Sequence, residues 1–257
     1  MEQSDSQIRQ LSQGFFEDEL RRYGDVVPPS GQDDETLKCL LTLLIDGRKV
    51  FDLLDIGCGI GYVARATKAL YPEANVLGTD ISQTIIAKAR ELDPEGGVHY
   101  QVANELSLPS LTERFDFAIC RYSIHHYPKM RSHLREVHRI LRPQGTYLVI
   151  DVLPDSGQDD DRLNEVFTNV ERETTGHIKF YTLKEYEAFA DDASLSVAGV
   201  ERFPLVLDFP KGSPHYHALR GMPEDFRNSV SLGEEDERLQ VTLKAAGVYL
   251  RRQEETT

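Results

Sequence analysis

The feature that most constrains this chain is a turn with three glycines between an apolar segment and a helix-forming segment. Strand-forming residues occupy 50–56, and Gly57, Gly59 and Gly61 follow at alternate positions before the helix-forming segment 62–70. Glycine permits sharp backbone turns, and the close approach of a ligand, where a Cβ would clash. The pattern therefore predicts strand, tight turn and helix, which is the first half of a nucleotide-binding βαβ unit.

The glycine spacing and one acidic residue distinguish between two classes of ligand. A dinucleotide site has the spacing G-x-G-x-x-G and places a pyrophosphate at the helix N-terminus, whereas this chain has G-x-G-x-G. Asp55 stands two residues before the first glycine. Its carboxylate would repel a pyrophosphate but attract an ammonium or sulfonium cation. These residues favour S-adenosylmethionine over a nicotinamide dinucleotide.

The segment D-I-G-C-G-x-G at 55–61 resembles the first motif of the class I S-adenosylmethionine-dependent methyltransferases. The similarity is to enzymes of the ubiquinone/menaquinone-biosynthesis type and to natural-product small-molecule methyltransferases. Helices alternating with five short apolar strands separately predict an α/β protein with a parallel sheet covered on both faces.

The resemblance implies a more detailed architecture. We expect a Rossmann-like seven-stranded sheet in the order 3-2-1-4-5-7-6, with strand 7 antiparallel, helices on both faces and a small helical cap. An N-terminal helical lid and the first sheet-packing helix would occupy 1–48, and a cofactor-binding core would occupy 49–154. The remainder of the sheet, with substrate-cap insertions, would occupy 155–257.

Length and charge limit the partners of the chain. It has 257 residues, which suits one domain or one domain with a cap, and a formal net charge of −14 at pH 7. Nucleic-acid backbones and anionic membranes are bound mainly by basic patches. The sequence therefore predicts a small-molecule acceptor, with neither nucleic acid nor membrane as a partner, and leaves the oligomeric state open.

The cysteines and the N-terminal segment indicate a compartment. Cys39, Cys58 and Cys120 form no C-x-x-C pair and lie in apolar contexts, which predicts reduced thiols. Residues 1–13 are polar and lack the basic start and apolar centre of a signal peptide. The apolar run 39–45 is too short to cross a bilayer. We therefore expect a cytoplasmic protein.

An acidic residue, Asp80, ends the second predicted strand. A carboxylate there is placed to accept both ribose hydroxyls, although it could instead cap the following helix, a position that Ser82 could also fill. Ile81 would pack against adenine. By resemblance to the family segment Asp-Ala-x-x-Leu-Pro, Asn104 would accept from the adenine amino group through its amide oxygen. The predicted cofactor set is Tyr23, Asp55, Gly57, Cys58, Gly59, Gly61, Asp80, Ile81, Asn104, Glu105 and Arg121.

Two adjacent histidines follow the fourth predicted strand, at the edge where parallel sheets bind their ligands. Histidine is the usual base for a phenol, enol or hydroxyl near neutral pH. Asp151, at the end of the fifth strand, could orient one histidine. The catalytic candidates are therefore His125, His126 and Asp151, with one of the two histidines expected to point away from the pocket. Their spacing resembles that of certain natural-product O-methyltransferases.

Candidates for substrate contact are scattered along the chain. By resemblance, the N-terminal helix covers the site, and the segment 176–181 is similar to a Ser-His-Val-x-x-Tyr segment of relatives that modify quinones. His133 and His138 are expected to face solvent. Adjacent histidines lack the spacing of metal ligands, so no metal site is predicted. The predicted substrate residues are Phe16, Tyr122, His177 and Tyr181, with His177 also the reserve base.

The segment beyond residue 153 is harder to interpret. Strand 6 is expected within 195–209 and strand 7 at 247–251, with a partly mobile cap over the pocket at 210–232. The charged run 234–238 is interpreted as a solvated helix face. Gln144 stands where the family has a glycine, which predicts that this turn position needs no positive φ.

These observations predict a methyltransferase that uses S-adenosylmethionine to methylate a small organic acceptor, at an oxygen deprotonated by a histidine. Transfer to nitrogen or carbon remains open, because such acceptors can dispense with the base. A second alternative is a cofactor-binding enzyme of the same fold that catalyses a cyclisation or dehydration, because one fold serves many reactions.

Overall fold

The computed structural model describes residues 4–23, 31–109, 112–155, 157–224, 226, 232–235 and 238–253. The tail predicted after the N-terminal helix, at 24–30, lies outside these residues. Within them, no helix has the length and apolar character needed to span a membrane. The helices are α1 (Asp5–Tyr23), α2 (Gly31–Ile45), α3 (Tyr62–Leu70), α4 (Gln83–Glu91), α5 (Met130–Ile140), α6 (Gln158–Glu171), α7 (Leu183–Asp191) and α8 (Pro214–Arg220).

The strands of the described residues form one mixed sheet. They are β1 (Asp52–Ile56), β2 (Asn75–Asp80), β3 (His99–Val102), β4 (Phe115–Arg121), β5 (Leu141–Val152), β6 (Leu195–Pro210), β7 (Leu232–Glu235) and β8 (Arg238–Arg252). Their order is β3-β2-β1-β4-β5-β8-β6, with β7 paired to β8. The first five strands are parallel, and β8 is antiparallel to its neighbours. This confirms the predicted Rossmann-like order, in which β8 takes the place of the predicted strand 7.

Alternating apolar side chains explain why helices cover both faces of the sheet. Leu54 and Val149 lie in one core, which includes buried residues of α5 and α7. Their neighbours Leu53 and Ile150 lie in a second core, with buried residues of α2, α3 and α4. Successive residues of a strand point to opposite faces, so both faces of these strands must be covered by helices.

A third core lies beyond the main layers. Strands β6 and β8 pair along nearly their whole lengths. Phe167 of α6, Leu219 of α8 and Val241 of β8 pack together in this core. It corresponds to the predicted helical cap, built on strands that also belong to the main sheet. The domain boundaries proposed at 48 and 154 stay predictions.

The prediction of a helix face at 234–238 is wrong. Leu232–Glu235 forms strand β7, and Arg238 begins strand β8, while residues 236–237 lie outside the described part of the chain. In β8, Leu239, Val241 and Leu243 are buried and alternate with exposed residues. This period of two defines a strand, and the charged residues before it obscure the pattern.

The turn near the start of β5 also differs from its prediction. Gln144 has a φ of 62°, which lies in the left-handed region. The prediction that this position needs no positive φ is therefore wrong. A side chain with a Cβ is held there at some conformational cost, where β4 and β5 pair irregularly.

The expected solvent exposure of His133 is wrong as well. Its side chain is buried, with Nδ1 2.9 Å from the carbonyl oxygen of Glu105 and Nε2 2.9 Å from the hydroxyl of Tyr147. His133 shares the inner face of α5 with Val137, one turn further along the helix. Both hydrogen-bonding atoms of the ring find partners, which makes burial of this histidine tolerable.

Candidate active site

The glycine-rich turn between β1 and α3 leaves space on one side only. Gly57 has a φ of 69°, and a Cβ there would overlap the side chain of Ser123. Gly61 has a φ of 85°, and a Cβ there would overlap the ring of Tyr100. Gly59 has a φ of 53°, yet no described atom lies within 4 Å of a Cβ built on it. The turn is therefore packed at its ends and open at its centre.

The structure places Asp55 beneath this turn. Its side chain is 1% exposed, and Oδ2 accepts a hydrogen bond of 3.1 Å from the backbone N–H of Ala64. Burial raises the pKa of this carboxyl to about 7, although the Ala64 N–H and the positive charge of Arg121 oppose the change. The carboxylate thus tethers the first turn of α3, and its attraction to a cofactor cation stays a prediction.

Asp80 joins the turn to the start of α4. Its Oδ2 accepts from the N–H of Gly59 at 3.1 Å, and its Oδ1 accepts from the N–H of Ser82 at 2.9 Å. Ser82 is the N-cap of α4, since its hydroxyl accepts from the N–H of Ile85. Ser82, and not Asp80, therefore caps α4, and the ribose role stays the prediction for Asp80. Burial raises the pKa of Asp80, while the backbone N–H groups of Ser82 and Gly59 counteract that shift.

A cavity of about 470 Å³ lies beside Asp80, at the carboxyl ends of β2 and β3. Two predicted adenine-contacting residues, Ile81 and Asn104, line it. The Oδ1 of Asn104 accepts from the N–H of Leu106 at 2.9 Å, and an amide oxygen has a second lone pair for another donor. The cavity is lined by Ile81, Gln101, Val102, Ala103, Asn104, Ser107, Leu108 and Pro109.

The other predicted cofactor residues lie in different surroundings. Cys58 is buried, and burial raises the pKa of its thiol well above the usual range. The guanidinium of Arg121 lies 4.4 Å from the ring centre of Tyr122. Glu105 is buried in an ion pair with Arg9 of α1, and its contact with the cofactor stays a prediction. The side chain of Tyr23 lies outside what the structure describes.

Both adjacent histidines enter one cluster. Ile124–His126 is a 3₁₀ turn after β4, and the ring centres of His125 and His126 are 4.2 Å apart. The ring of His177 lies 5.0 Å from that of His125 and 6.1 Å from that of His126. The expectation that one of the two histidines points away is therefore wrong, because a tight turn, unlike a strand, does not alternate its side chains.

The two histidines differ in their electrostatic surroundings. Nδ1 of His125 lies 2.8 Å from Oδ2 and 3.0 Å from Oδ1 of Asp151. Burial lowers the pKa of His125, but the Asp151 carboxylate outweighs it, and the net shift is upward. Burial and the neighbouring His125 and His177 hold the pKa of His126 well below its usual range. His125 is therefore the histidine with an orienting carboxylate.

Sequence reasoning missed two residues of this cluster. Glu171, at the end of α6, has Oε2 3.0 Å from Nδ1 of His177 and Oε1 2.7 Å from Nε2 of His215. Despite burial, hydrogen bonds and charge from these histidines hold the pKa of Glu171 far below its usual range. No local motif marks Glu171, and His215 was considered only as part of the cap.

The predicted substrate residues divide into two groups. Phe16 of α1 lies 5.7 Å from the ring of His126, edge to face. Tyr181 instead packs in the core, with Tyr186 and Phe189 as ring neighbours, so the structure does not bring it to the histidines. Within the described residues, no group of three His, Cys, Asp or Glu side chains has an arrangement that could hold a metal ion.

Comparison with known proteins shows what the central part of the chain is similar to. Residues 54–149 match the Methyltransf_11 family model, which describes a methyltransferase domain. This segment is similar to a methyltransferase domain. This match confirms the resemblance that rests on residues 55–61, and the topology is that of the Rossmann-like class I methyltransferases.

Individual relatives support the same assignment. The chain is 28% identical over 161 residues to the uncharacterized methyltransferase YcgJ of Bacillus subtilis (strain 168), covering 61% of the chain and 62% of YcgJ. It is 32% identical over 107 residues to the O-methyltransferase cnsE of Penicillium expansum, covering 40% of the chain and 38% of cnsE. The chain thus spans less than two thirds of the length of these curated relatives.

Solved structures share the fold. The crystal structure of YcgJ superimposes with a TM-score of 0.71 at 22% identity, covering 86% of this chain and 99% of YcgJ. The [4+2]-cyclase SpnF superimposes with a TM-score of 0.65 at 16% identity, covering 95% of the chain and 96% of SpnF. The methyltransferase fold therefore also occurs in a protein named for a cyclisation.

Proposed function

We propose that the chain is an S-adenosylmethionine-dependent methyltransferase that methylates an oxygen of a small organic acceptor. The open turn at Gly59 and the carboxylate of Asp80 would hold the amino acid and ribose parts of the cofactor. The cavity beside Ile81 and Asn104 would hold adenine. These donors, acceptors and apolar walls match a cationic nucleoside without phosphates, and this match supports the choice of cofactor.

The pairing of His125 with Asp151 is the observation that carries the choice of an oxygen acceptor. When bound, S-adenosylmethionine supplies an activated methyl group, and the electron pair of the broken sulfur–methyl bond remains on sulfur. The chain must then orient the acceptor and remove its proton. With Nδ1–H donated to Asp151, Nε2 of His125 accepts the proton of the acceptor hydroxyl. The carboxylate stabilises the imidazolium that results.

The histidine cluster also suits a small apolar acceptor. Phe16, Phe180 and the histidine rings form a group of aromatic side chains that would hold the body of such a molecule. The net charge of −14 supports a small molecule over a polyanion as the partner.

The test is transfer of a labelled methyl group to a panel of phenols, enols and alcohols. Because His125 is the base, His125→Ala should lower turnover by about 10²–10⁴-fold while calorimetry shows unchanged affinity for S-adenosylhomocysteine. His126→Ala should cost less than about tenfold, and the exposed His99 provides the matched control His99→Ala. Equal activity of the His125 and His126 variants would refute deprotonation by His125 and favour transfer to nitrogen or carbon.

The same assay separates methyl transfer from a cyclase-like reaction. A methyltransferase releases one S-adenosylhomocysteine for each product molecule, whereas a cyclisation or dehydration leaves the cofactor intact. Conversion of an acceptor with no S-adenosylhomocysteine released would overturn the proposal.

A further inference from the structure

The cluster contains a second pairing of histidine with carboxylate. Nδ1 of His177 lies 3.0 Å from Glu171, which compares with 2.8 Å between Nδ1 of His125 and Asp151. His215 of α8 holds the other oxygen of Glu171 at 2.7 Å. The carboxylate is therefore held by His215 and lies at ion-pair distance from His177.

The two pairs lie against one another. The rings of His125 and His177 lie 5.0 Å apart with an angle of 30° between their planes. The ring of Phe180 packs against both, at 5.3 Å from His125 and 4.6 Å from His177. Two imidazoles, each with a carboxylate oxygen within 3.0 Å of Nδ1, thus stand side by side.

The second pair retains unsatisfied atoms. Both ring nitrogens of His177 are buried without a hydrogen bond among the described residues; Nδ1 lies at ion-pair distance from Glu171, and Nε2 has no partner. A buried polar nitrogen without a partner is costly and rare in native proteins. When Nδ1 carries the proton toward Glu171, Nε2 has only a lone pair and can pair only with a hydrogen-bond donor. Burial also lowers the pKa of His177, which favours this neutral form.

We propose that Nε2 of His177 accepts a hydrogen bond from a second hydroxyl of the acceptor, adjacent to the hydroxyl that His125 deprotonates. The acceptor class is then a vicinal diol on a flat framework, such as a catechol or an enediol. This inference rests on the proposed function, because it uses His125 as the base. His177 contacts the acceptor, whereas Glu171 and His215 are positioning residues.

The experiment measures binding by calorimetry to the full chain saturated with S-adenosylhomocysteine. The probes are catechol, phenol and 2-methoxyphenol, which differ only at the second oxygen. Catechol should bind about tenfold more tightly than either analogue, because only catechol donates a second hydrogen bond to the buried nitrogen. Equal binding of the three probes, or no binding of catechol, would overturn the inference.

A variant assigns the preference to His177. His177→Phe keeps a ring beside Phe180 and should reduce the catechol preference to about onefold without weakening phenol binding. A purely structural role would weaken all three probes together. Persistence of the full preference in this variant would refute the role of His177.

A second variant keeps the inference testable if His177→Phe does not fold. His215→Phe, on α8, keeps a ring against Phe209 but removes the donor to Glu171, and it should lower the catechol preference by about threefold. Thermal melting checks the folding of both variants. An unchanged preference in a folded His215→Phe variant would contradict the positioning role of that residue.

Methyl transfer distinguishes this inference from the proposed function. Selective binding of catechol without any methylation would refute the proposed function and leave the diol site standing. Equal methylation and binding of phenol and catechol would refute the diol site and leave the proposed function standing.

Discussion

At the scale of single residues, the charge on Asp151 should set the pH dependence of turnover. His125 accepts a proton only when neutral, so activity should rise as pH passes its pKa, which lies above the usual 6.5. The groups that face His125 are Asp151, His126, His177 and Glu171. Asp151→Asn removes the main charge that raises this pKa, so the acid limb should move to lower pH while the plateau rate falls by about 10²-fold.

The measurement is the pH profile of kcat for both proteins. Asp191→Asn is the matched control, because Asp191 is an exposed carboxylate at the end of α7. An acid limb that stays in place, or moves to higher pH, would contradict the pairing of His125 with Asp151.

The residues of the site differ in how far the sequence could predict them. Asp80 was placed correctly at the end of β2 because a short apolar strand and a following helix bracket it in the sequence. The partnership between Glu171 and His215 joins residues 44 positions apart. Only tertiary packing of α6 against α8 creates that contact, and no local spacing encodes it.

At the scale of elements, the glycine turn offers a paired prediction. Gly61→Ala places a Cβ against the ring of Tyr100, and Gly59→Ala places one in open space, although both residues have positive φ. Gly61→Ala should therefore lower the free energy of unfolding by about 2–4 kcal/mol, through strain and overpacking. Gly59→Ala should lower it by only about 1–2 kcal/mol.

Cofactor affinity, unlike stability, should be affected mainly by Gly59→Ala. The Cβ of Gly59→Ala enters the space assigned to the cofactor, so calorimetry should show a loss of S-adenosylhomocysteine affinity of about tenfold or more. Urea unfolding supplies the stability comparison. A Gly59→Ala protein that binds S-adenosylhomocysteine normally would show that the open side of the turn is not the binding side.

The elements also show why some predictions failed. The strand β8 has a clear period of two at Leu239, Val241 and Leu243, but the charged residues before it suggested a solvated helix. The two histidines after β4 were expected to diverge, whereas they occupy a 3₁₀ turn in which their rings lie 4.2 Å apart. In β8 the alternating pattern is present in the sequence, but the charged residues before it outweighed it. At the histidines the tight turn determines the directions of the two side chains.

At the scale of the whole molecule, the cap and the sheet share their strands. β6 and β8 pair through the main sheet and continue into the third core around Leu219. The Rossmann-like half was predictable, because its strands and helices follow one another closely in sequence. The way in which the cap joins the sheet was not predictable, since it depends on the pairing of β6 with β8 across a long connection.

This sharing predicts that the cap and the sheet unfold together. Leu219 is 0% exposed in the cap core, so Leu219→Ala should lower the free energy of unfolding of the whole chain by about 2–5 kcal/mol. Because β6 and β8 carry both cores, urea unfolding should remain a single transition when followed by tyrosine fluorescence and by circular dichroism. Val206 on β6 is 48% exposed, and Val206→Ala should change stability by less than about 1 kcal/mol. Two separate transitions, with only the first shifted by Leu219→Ala, would show instead that the cap folds independently of the rest of the sheet.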